Sequence, residues 1–481
     1  MSGGHEGNVV RRSKLGTHCR NVLLAVLALN VMACGTRLTE AERSSFAGNG
    51  SSGSQSDGGT GGSDGGSGGA DGALASTGGD AGTGSSTGGT TGGSAGGSAG
   101  GAGGQVAPPD EPCAAPSTEV GVTADKIVLG GTFTLSGILP GFSQTALNGT
   151  RAYVDYLNSN GGLCGRKVEY LARDDGFDAS RNNDETRSLM RQALAVVASF
   201  TPADDGGATA LAGSKVIDLG TGTTPARQTL ANHYGILTKE TQPGEAVSLA
   251  EYRYAVANGA KKLAIVAVGV AAGRAILRVS ADGARASGME VVYQAEVSPT
   301  QFSYASTARA IVESGAQMVL SLIDINGSVQ LAEELSRIPN HVKYSFPRLG
   351  YDQRFIDQAG AAAEGTVSFI EFLPYEERGT NEALDNFLDY YEAVAPDSAP
   401  NLPSMMSWVA METFAQVIRS LRGPITRDAL LQAAANLHRV EGNGLFQPFD
   451  LGARKYPSCK ILMRVVDGKY KREAPASGFY C

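Results

Sequence analysis

Two stretches carry the spacing of a nucleophile elbow. Gly92-Gly93-Ser94-Ala95-Gly96 and Gly96-Gly97-Ser98-Ala99-Gly100 both read G-x-S-x-G. That motif activates a serine only where a strand turns sharply into a helix. Both copies lie in a glycine tract with no apolar run on either side, so the frame is missing. A base is equally hard to place. Beyond the first twenty residues the histidines are His233, His341 and His438, none beside a nucleophile in a meaningful motif. The acidic pairs Asp174-Asp175 and Asp204-Asp205 are sequence neighbours whose side chains point apart, as at loop ends, and do not form a general acid/base pair. Gly220-x-Gly222 begins a dinucleotide-binding pattern, but Pro225 stands at the third glycine. No catalytic residue, no cofactor and no enzyme activity are expected.

The cysteines suggest other chemistry. There are six. Arg11, Arg12, Lys14 and Arg20 precede the apolar run Val22–Leu29, and Val31-Met32-Ala33-Cys34 follows Asn30. A basic segment, a short apolar run and a small residue make an export signal, and the run is too short to span a bilayer. The last four positions have the form of a bacterial lipobox. Residues 1–33 are then a signal peptide, and Cys34 is the lipidated N-terminus that holds the chain on a membrane. Cys19 leaves with the leader. An even set remains, Cys113, Cys164, Cys459 and Cys481, which in an exported chain favours two disulfides among three possible pairings. Cys113–Cys164 would pin an arm before the first strand, and Cys459–Cys481 would clamp a C-terminal hairpin; this pairing is the expected one. Four thiolates on zinc is the alternative, but no C-x-x-C pair is present and no metal is expected.

These residues need a frame. The chain has 481 residues and a net charge of −8, which argues against a nucleic-acid partner because phosphate neutralisation needs a basic face. From Phe46 to about Gln105 the sequence is almost entirely Gly, Ser, Thr, Ala and Asp. Such a stretch buries too little surface to offset chain entropy. Residues 34–118 therefore read as a disordered tether, whose central part of roughly 60 residues would span about 40 Å on average. Residues 119–481 are foldable, and longer than one compact core usually holds.

Within them apolar runs alternate with amphipathic stretches. Strands are expected at Ile127–Thr134, Val168–Arg173, Ala195–Ser199 and Val216–Leu219, with helices at Thr145–Asn158 and Ala179–Arg191. The pattern restarts with a helix at Gly244–Ala257, a strand at Lys262–Val268, a helix at Gly273–Ala286, a strand at Glu290–Val297, a helix at Ser303–Glu313 and a strand at Met318–Leu322. Three helical stretches follow, Asn381–Ala395, Ser404–Leu421 and Thr426–Leu437. A hairpin closes the chain, Ile461–Val466 and Lys469–Lys471 about Asp467-Gly468. Repeated β-α-β units predict α/β architecture with two parallel sheets.

Several segments, in order, resemble the leucine/isoleucine/valine-binding family of periplasmic substrate-binding proteins. They are Gly121–Gly130 (GVTADKIVLG), Thr134–Gly137 (TLSG), Tyr156–Val168 (YLNSNGGLCGRKV), Arg173–Asp178 (RDDGFD), Thr221–Pro225 (TGTTP) and Ala362–Gly365 (AAEG). The resemblance implies the type I periplasmic-binding-protein fold, two Rossmann-like lobes joined by a three-crossing hinge. Lobe one would hold about 119–240 and 374–447, and lobe two about 241–373 and 448–481. It also implies a ligand carboxylate held by lobe-one loops, which transfers to Ser136, Ser199, Thr201, Thr221 and Thr223. In lobe two the family's Tyr and Glu positions fall near Asp324 or Ile325 and near Tyr351 or Asp352. That is a departure from the pattern, and it leaves a branched-chain amino acid unsupported as ligand. Asp324 and Asp352 serve equally well as caps of the following helices.

The expected function is an extracytoplasmic solute-binding lipoprotein. It would capture a small polar ligand, an amino acid or related carboxylate or amide, for an ABC importer, acting as a monomer. The alternatives are the same domain as a sensor docked to a membrane signalling protein, or a surface hydrolase or adhesin.

Overall fold

The computed structural model describes residues 113, 115–236, 248–339 and 342–481. The expected signal peptide, the expected lipidation site Cys34 and the expected tether as far as residue 112 lie outside the described residues, as does His341.

The run KIVLGGTF forms strand β1 (Lys126–Phe133), buried at every position after Lys126. A continuous apolar run suits a parallel strand covered on both faces. At Gly131 a Cβ would stand 2.7 Å from the Val197 carbonyl oxygen, so glycine is what lets the next strand approach. There follow α1 (Gln144–Ser159), β2 (Lys167–Asp174), α2 (Ala179–Gln192), β3 (Ala195–Val197), α3 (Asp205–Leu211), β4 (Asp218–Leu219), α4 (Pro225–Gln228) and β5 (His233–Tyr234). The first sheet has the order β2-β1-β3-β4-β5 and is parallel throughout.

The second unit repeats the plan with α5 (Ala250–Ala257), β6 (Lys262–Val268), α6 (Ala271–Ala286), β7 (Glu290–Val297), α7 (Ala305–Glu313), β8 (Met318–Leu322), α8 (Ile325–Ser336), β9 (Tyr344–Pro347) and α9 (Gln353–Ala359). Its sheet, β7-β6-β8-β9, is also parallel. β10 (Val367–Ile370) then leads back to α10 (Glu382–Val394), α11 (Leu402–Arg419) and α12 (Arg427–Asn436). Leu384, Phe387, Val409, Phe414 and Leu430 of these helices share one core with Ile127, Leu129 and Val197 of the first sheet. α1 and α11 touch at Gly149, where a Cβ would lie 2.1 Å from Ser404 O. The chain ends with β11 (Ile461–Val466) and β12 (Lys469–Ala474), an antiparallel hairpin whose first strand also pairs with β10. Parallel strands with crossover helices in two units make the expected α/β fold.

Four differences from the sequence reading have local causes. The strand expected at Ala195–Ser199 stops at Val197, because Ala198 takes a left-handed φ of 60°. Only Asp218 and Leu219 of the run from Val216 pair. Helix α11 begins at Leu402, two residues before Ser404, because Asn401 and Ser404 cap each other's backbone N–H. α3, α4, β5, α8, β9, α9 and β10 were not foreseen; among them β9 (YSFP) and β10 (VSFI) are four-residue strands, short against the usual five or six.

Cys113 is bonded to Cys164, and Cys459 to Cys481. Beside the first bond the Arg166 guanidinium donates to Cys113 O at 3.2 Å, Ala115 O at 3.3 Å and Thr123 O at 2.8 Å. That gathers the arm onto the α1–β2 turn.

Candidate ligand cleft

Open parallel sheets expose their ligand-facing loops beyond the carboxyl ends of the strands. Here loops from both sheets meet there around one open cleft. The first sheet supplies Leu139 and Phe142 after β1, Phe177 after β2, Phe200 and Pro202 after β3, and Thr221, Gly222 and Thr223 after β4, with Gln228 from α4. The second supplies Val270 and Ile276 after β6, Ser298 and Pro299 after β7, Asp324 after β8, and Arg348 and Leu349 after β9. Leu402 and Met406 of α11 also face the cleft. Phe142 and Phe200 stack at 5.9 Å between centroids. Most of the wall is apolar, with Arg348 the one cation and Asp324 the one carboxylate among the described lining residues.

The expected site residues divide. Thr221, Thr223 and Asp324 line the cleft; Ser136, Ser199, Thr201, Tyr351 and Asp352 do not. The last five are engaged within the protein. Ser136 Oγ donates to Asp174 at 2.5 Å, and Asp174 also accepts from the backbone N–H groups of Leu135, Ser136 and Gly176. Burial raises the Asp174 pKa, but these hydrogen bonds outweigh it and hold the carboxyl at about 2. Ser199 Oγ accepts from Thr132 N at 3.1 Å, bracing β3 against β1. Thr201 Oγ1 lies 2.9 Å from Thr134 Oγ1 and accepts from Ala203 N at 3.1 Å. Thr223 is tied down as well, its N–H donating to Asp204 at 2.6 Å and its hydroxyl to Thr201 O at 2.7 Å.

In the second unit Asp324 caps α8, accepting from Asn326 N and Gly327 N. Asp352 caps α9, pairs with Arg354 at 2.6 Å and accepts from Asn401 Nδ2 at 2.7 Å. Tyr351 OH donates to Glu376 at 2.6 Å and accepts from Tyr375 N at 2.8 Å. Tyr470 OH donates to the Asp352 carbonyl at 2.9 Å. Tyr351 and Asp352 thus join α9 to the crossing at 375–376, to α11 and to the hairpin, away from the cleft. The capping reading holds for both acids.

Residues that the sequence reading passed over, Phe142, Phe177, Ile276, Arg348 and Met406, are those the geometry brings together. All but Met406, which lies within α11, follow a strand, and that position was their signal. Arg348, largely buried, lies 3.5 Å from Glu371 and 5.0 Å from the Phe369 ring centroid.

Two facing α/β lobes with a cleft between the carboxyl ends of their strands define a two-lobed solute-binding protein. The profile of the periplasmic binding protein family matches residues 126–469, and this chain belongs to that family. Its members are extracytoplasmic substrate-binding proteins, not enzymes. No curated protein matches the sequence. Solved structures share the fold at low identity. A fatty acid ABC transporter substrate-binding protein from Thermomonospora curvata is 17% identical with a TM-score of 0.64, over 74% of this chain and 93% of that one. A solute-binding protein of an ABC transporter from R. palustris, in complex with benzoate, is 17% identical with a TM-score of 0.60, over 74% and 97%. A leucine-binding protein from Thermotoga maritima is 13% identical with a TM-score of 0.62, over 72% and 98%. No helix among the described residues is long and apolar enough to cross a membrane.

Proposed function

We propose that this protein is a lipid-anchored receptor that captures a small organic anion with an apolar body between its lobes and passes it to an ABC importer. The observation that carries the reading is the apolar lining of the cleft. An aromatic ring buries about 150–250 Å², which at about 25 cal/mol per Å² contributes roughly 4–6 kcal/mol before the cost of association. Arg348 faces the anionic end, since a guanidinium takes a carboxylate through parallel hydrogen bonds. A free α-amino acid also needs an acceptor for its ammonium, and the one carboxylate on the wall already accepts two backbone N–H groups. The fatty acid and benzoate named for two fold relatives fit this lining.

Cys34 anchors the chain, residues 34–118 are the tether, and residues 119–481 are the receptor domain, acting as a monomer. A thermal-shift series on the purified mature protein tests the ligand class. Benzoates or medium-chain fatty acids are expected to raise the midpoint, since a thousandfold excess over Kd adds about 4 kcal/mol. Stabilisation by leucine, with none by any aromatic or aliphatic acid, would overturn it.

A further inference from the structure

A small polar recess adjoins the cleft at the loop between β4 and α4. Its walls include Gly222, Gln228, His233, Arg454 and Tyr456, and it shares Thr221, Gly222 and Gln228 with the cleft. The recess offers about 20 Å³ to a water-sized group, enough for a single hydroxyl, amine or water. Two side chains there are more than nine-tenths buried and each has a polar atom without a partner: Gln228 Oε1 and His233 Nε2.

The remaining bonds of both side chains show what those atoms are. Gln228 Nε2 donates to Gly222 O at 2.5 Å, so Oε1 is the acceptor end of the amide. His233 Nδ1 lies 2.7 Å from Asp218 Oδ2. Asp218 also accepts Arg227 Nε and Nη2 at 2.7 Å each, as a carboxylate does. A carboxylate has no proton to give, so His233 Nδ1 is the donor, and in the neutral imidazole Nε2 presents a lone pair. With the imidazole neutral, two acceptors line one recess and neither receives a donor from its walls: Arg454, the cation there, gives Nη1 and Nη2 to Leu230 O and Ala231 O instead. An unpaired buried acceptor destabilises the fold, and a donor placed there recovers much of that loss. Gly222 faces the same space: a Cβ built on it would stand 2.8 Å from His233 Nε2 and 2.9 Å from Gln228 Cγ.

We propose that this recess is a recognition notch for a hydrogen-bond donor at the tip of the ligand, an amine, amide N–H or hydroxyl, held between His233 Nε2 and Gln228 Oε1. The inference rests on the cleft being the ligand site and sharpens the class: an apolar body, an anionic end toward Arg348, and a donor at the opposite end. A site built to bond a donor rejects the analogue lacking it more strongly than an apolar pocket rejects a missing methylene.

The test is a calorimetric comparison of 4-aminobenzoate, 4-methoxybenzoate and 4-methylbenzoate on the mature protein, alongside 6-hydroxyhexanoate and hexanoate. The donor-bearing member of each series is expected to bind about tenfold tighter than its partners, and Gly222→Ala, whose methyl fills the notch, to reduce that gap to under twofold. Gln228→Met is the second variant and should narrow the gap in the same sense. Equal affinity across a series that binds, or preference for the methoxy form, overturns the notch and leaves the apolar-cleft reading intact. So does a ligand complex in which the notch holds only water. If neither series binds, the cleft reading fails first. The notch is then judged on the free protein by ¹⁵N NMR of its histidines. A bare His233 Nε2 at neutral pH supports it, and a protonated Nε2 overturns it.

Discussion

Two buried charge clusters underlie the two walls of the cleft, and they are built differently. In the first unit Asp218 takes Arg227 twice and His233 once, every contact at 2.7 Å, from the single stretch β4–α4–β5. In the second, Glu371 meets Lys460 at 3.0 Å and Arg348 at 3.5 Å, while Lys460 lies 3.9 Å from Glu251. Those four residues come from segments far apart in sequence. Lys460 Nζ and Arg348 Cζ also approach the Phe369 ring, at 4.1 and 5.0 Å from its centroid. The tight cluster closes one loop and turns its charges inward. The distributed one binds the C-terminal segment and β10 to the second sheet, and it leaves one cation, Arg348, on the cleft. The ion pairs of the first unit hold one loop together; those of the second join distant segments and also put a cation on the cleft wall.

The largest expected effect comes from breaking the tight cluster. Asp218→Ala takes from the buried Arg227 guanidinium the carboxylate it bonds twice and leaves only the charges of Asp204 and Asp175, neither hydrogen-bonded to it, which costs about 3–5 kcal/mol. Glu371→Gln should cost less, about 2 kcal/mol, because Lys460 keeps Glu251 within reach and a polar amide remains beside both cations. Urea midpoints of the two variants measure the difference, and a reversed order would break the comparison.

Acid sharpens it. Burial raises the Asp218 pKa, but the charge of Arg227 and the hydrogen bonds from Arg227 and His233 outweigh burial and hold it below the usual carboxylate range. A depressed folded pKa stabilises the fold above the unfolded value of about 4, and that stabilisation is lost as pH falls through the folded value. Asp174, at about 2, acts in the same sense. Between about pH 4 and pH 2 the wild-type urea midpoint should fall more steeply than that of Asp174→Asn, in which this titration is absent.

The alternation of strands and helices was legible most plainly where a strand is one continuous apolar run, as in β6; β6, β7, β8 and β11 form over the very residues expected. Short strands such as β9 and β10 were not, since four residues carry too little pattern and owe their form to their neighbours. The site was less legible than the fold. A hydroxyl after a strand looks the same in sequence whether it faces a ligand, as Thr221 faces the cleft, or braces a loop, as Ser199 does. Only tertiary contacts separate the two. The apolar wall was hidden for the opposite reason: Phe142 and Met406 read as core until the second unit is placed opposite them.

A smaller effect should separate the two walls in binding. Arg348→Met removes the cation of the second wall, so affinity for benzoate should fall by about tenfold or more, while affinity for benzamide changes little. Ser199→Ala, on the first side, should leave both ligands within twofold, because Ser199 Oγ supports β1 and lies outside the cleft lining. Equal losses for benzoate and benzamide in the Arg348 variant would show that Arg348 shapes the wall and does not read charge.

The smallest effect concerns Asp324, which belongs to both descriptions because it caps α8 and also lines the cleft. Replacing it with asparagine keeps a capping oxygen, so stability should change by only a few tenths of a kcal/mol, whereas Asp324→Ala loses the cap and about 1 kcal/mol. If Asp324 is only a cap, neither variant alters the preference for anionic over cationic ligands. If its charge acts on the cleft, Asp324→Asn should raise benzoate affinity by removing an anion from the wall, by up to about threefold given that two backbone N–H groups already share its charge. Calorimetry with benzoate on the Asn variant decides between them, since the cap is preserved and only the charge has changed.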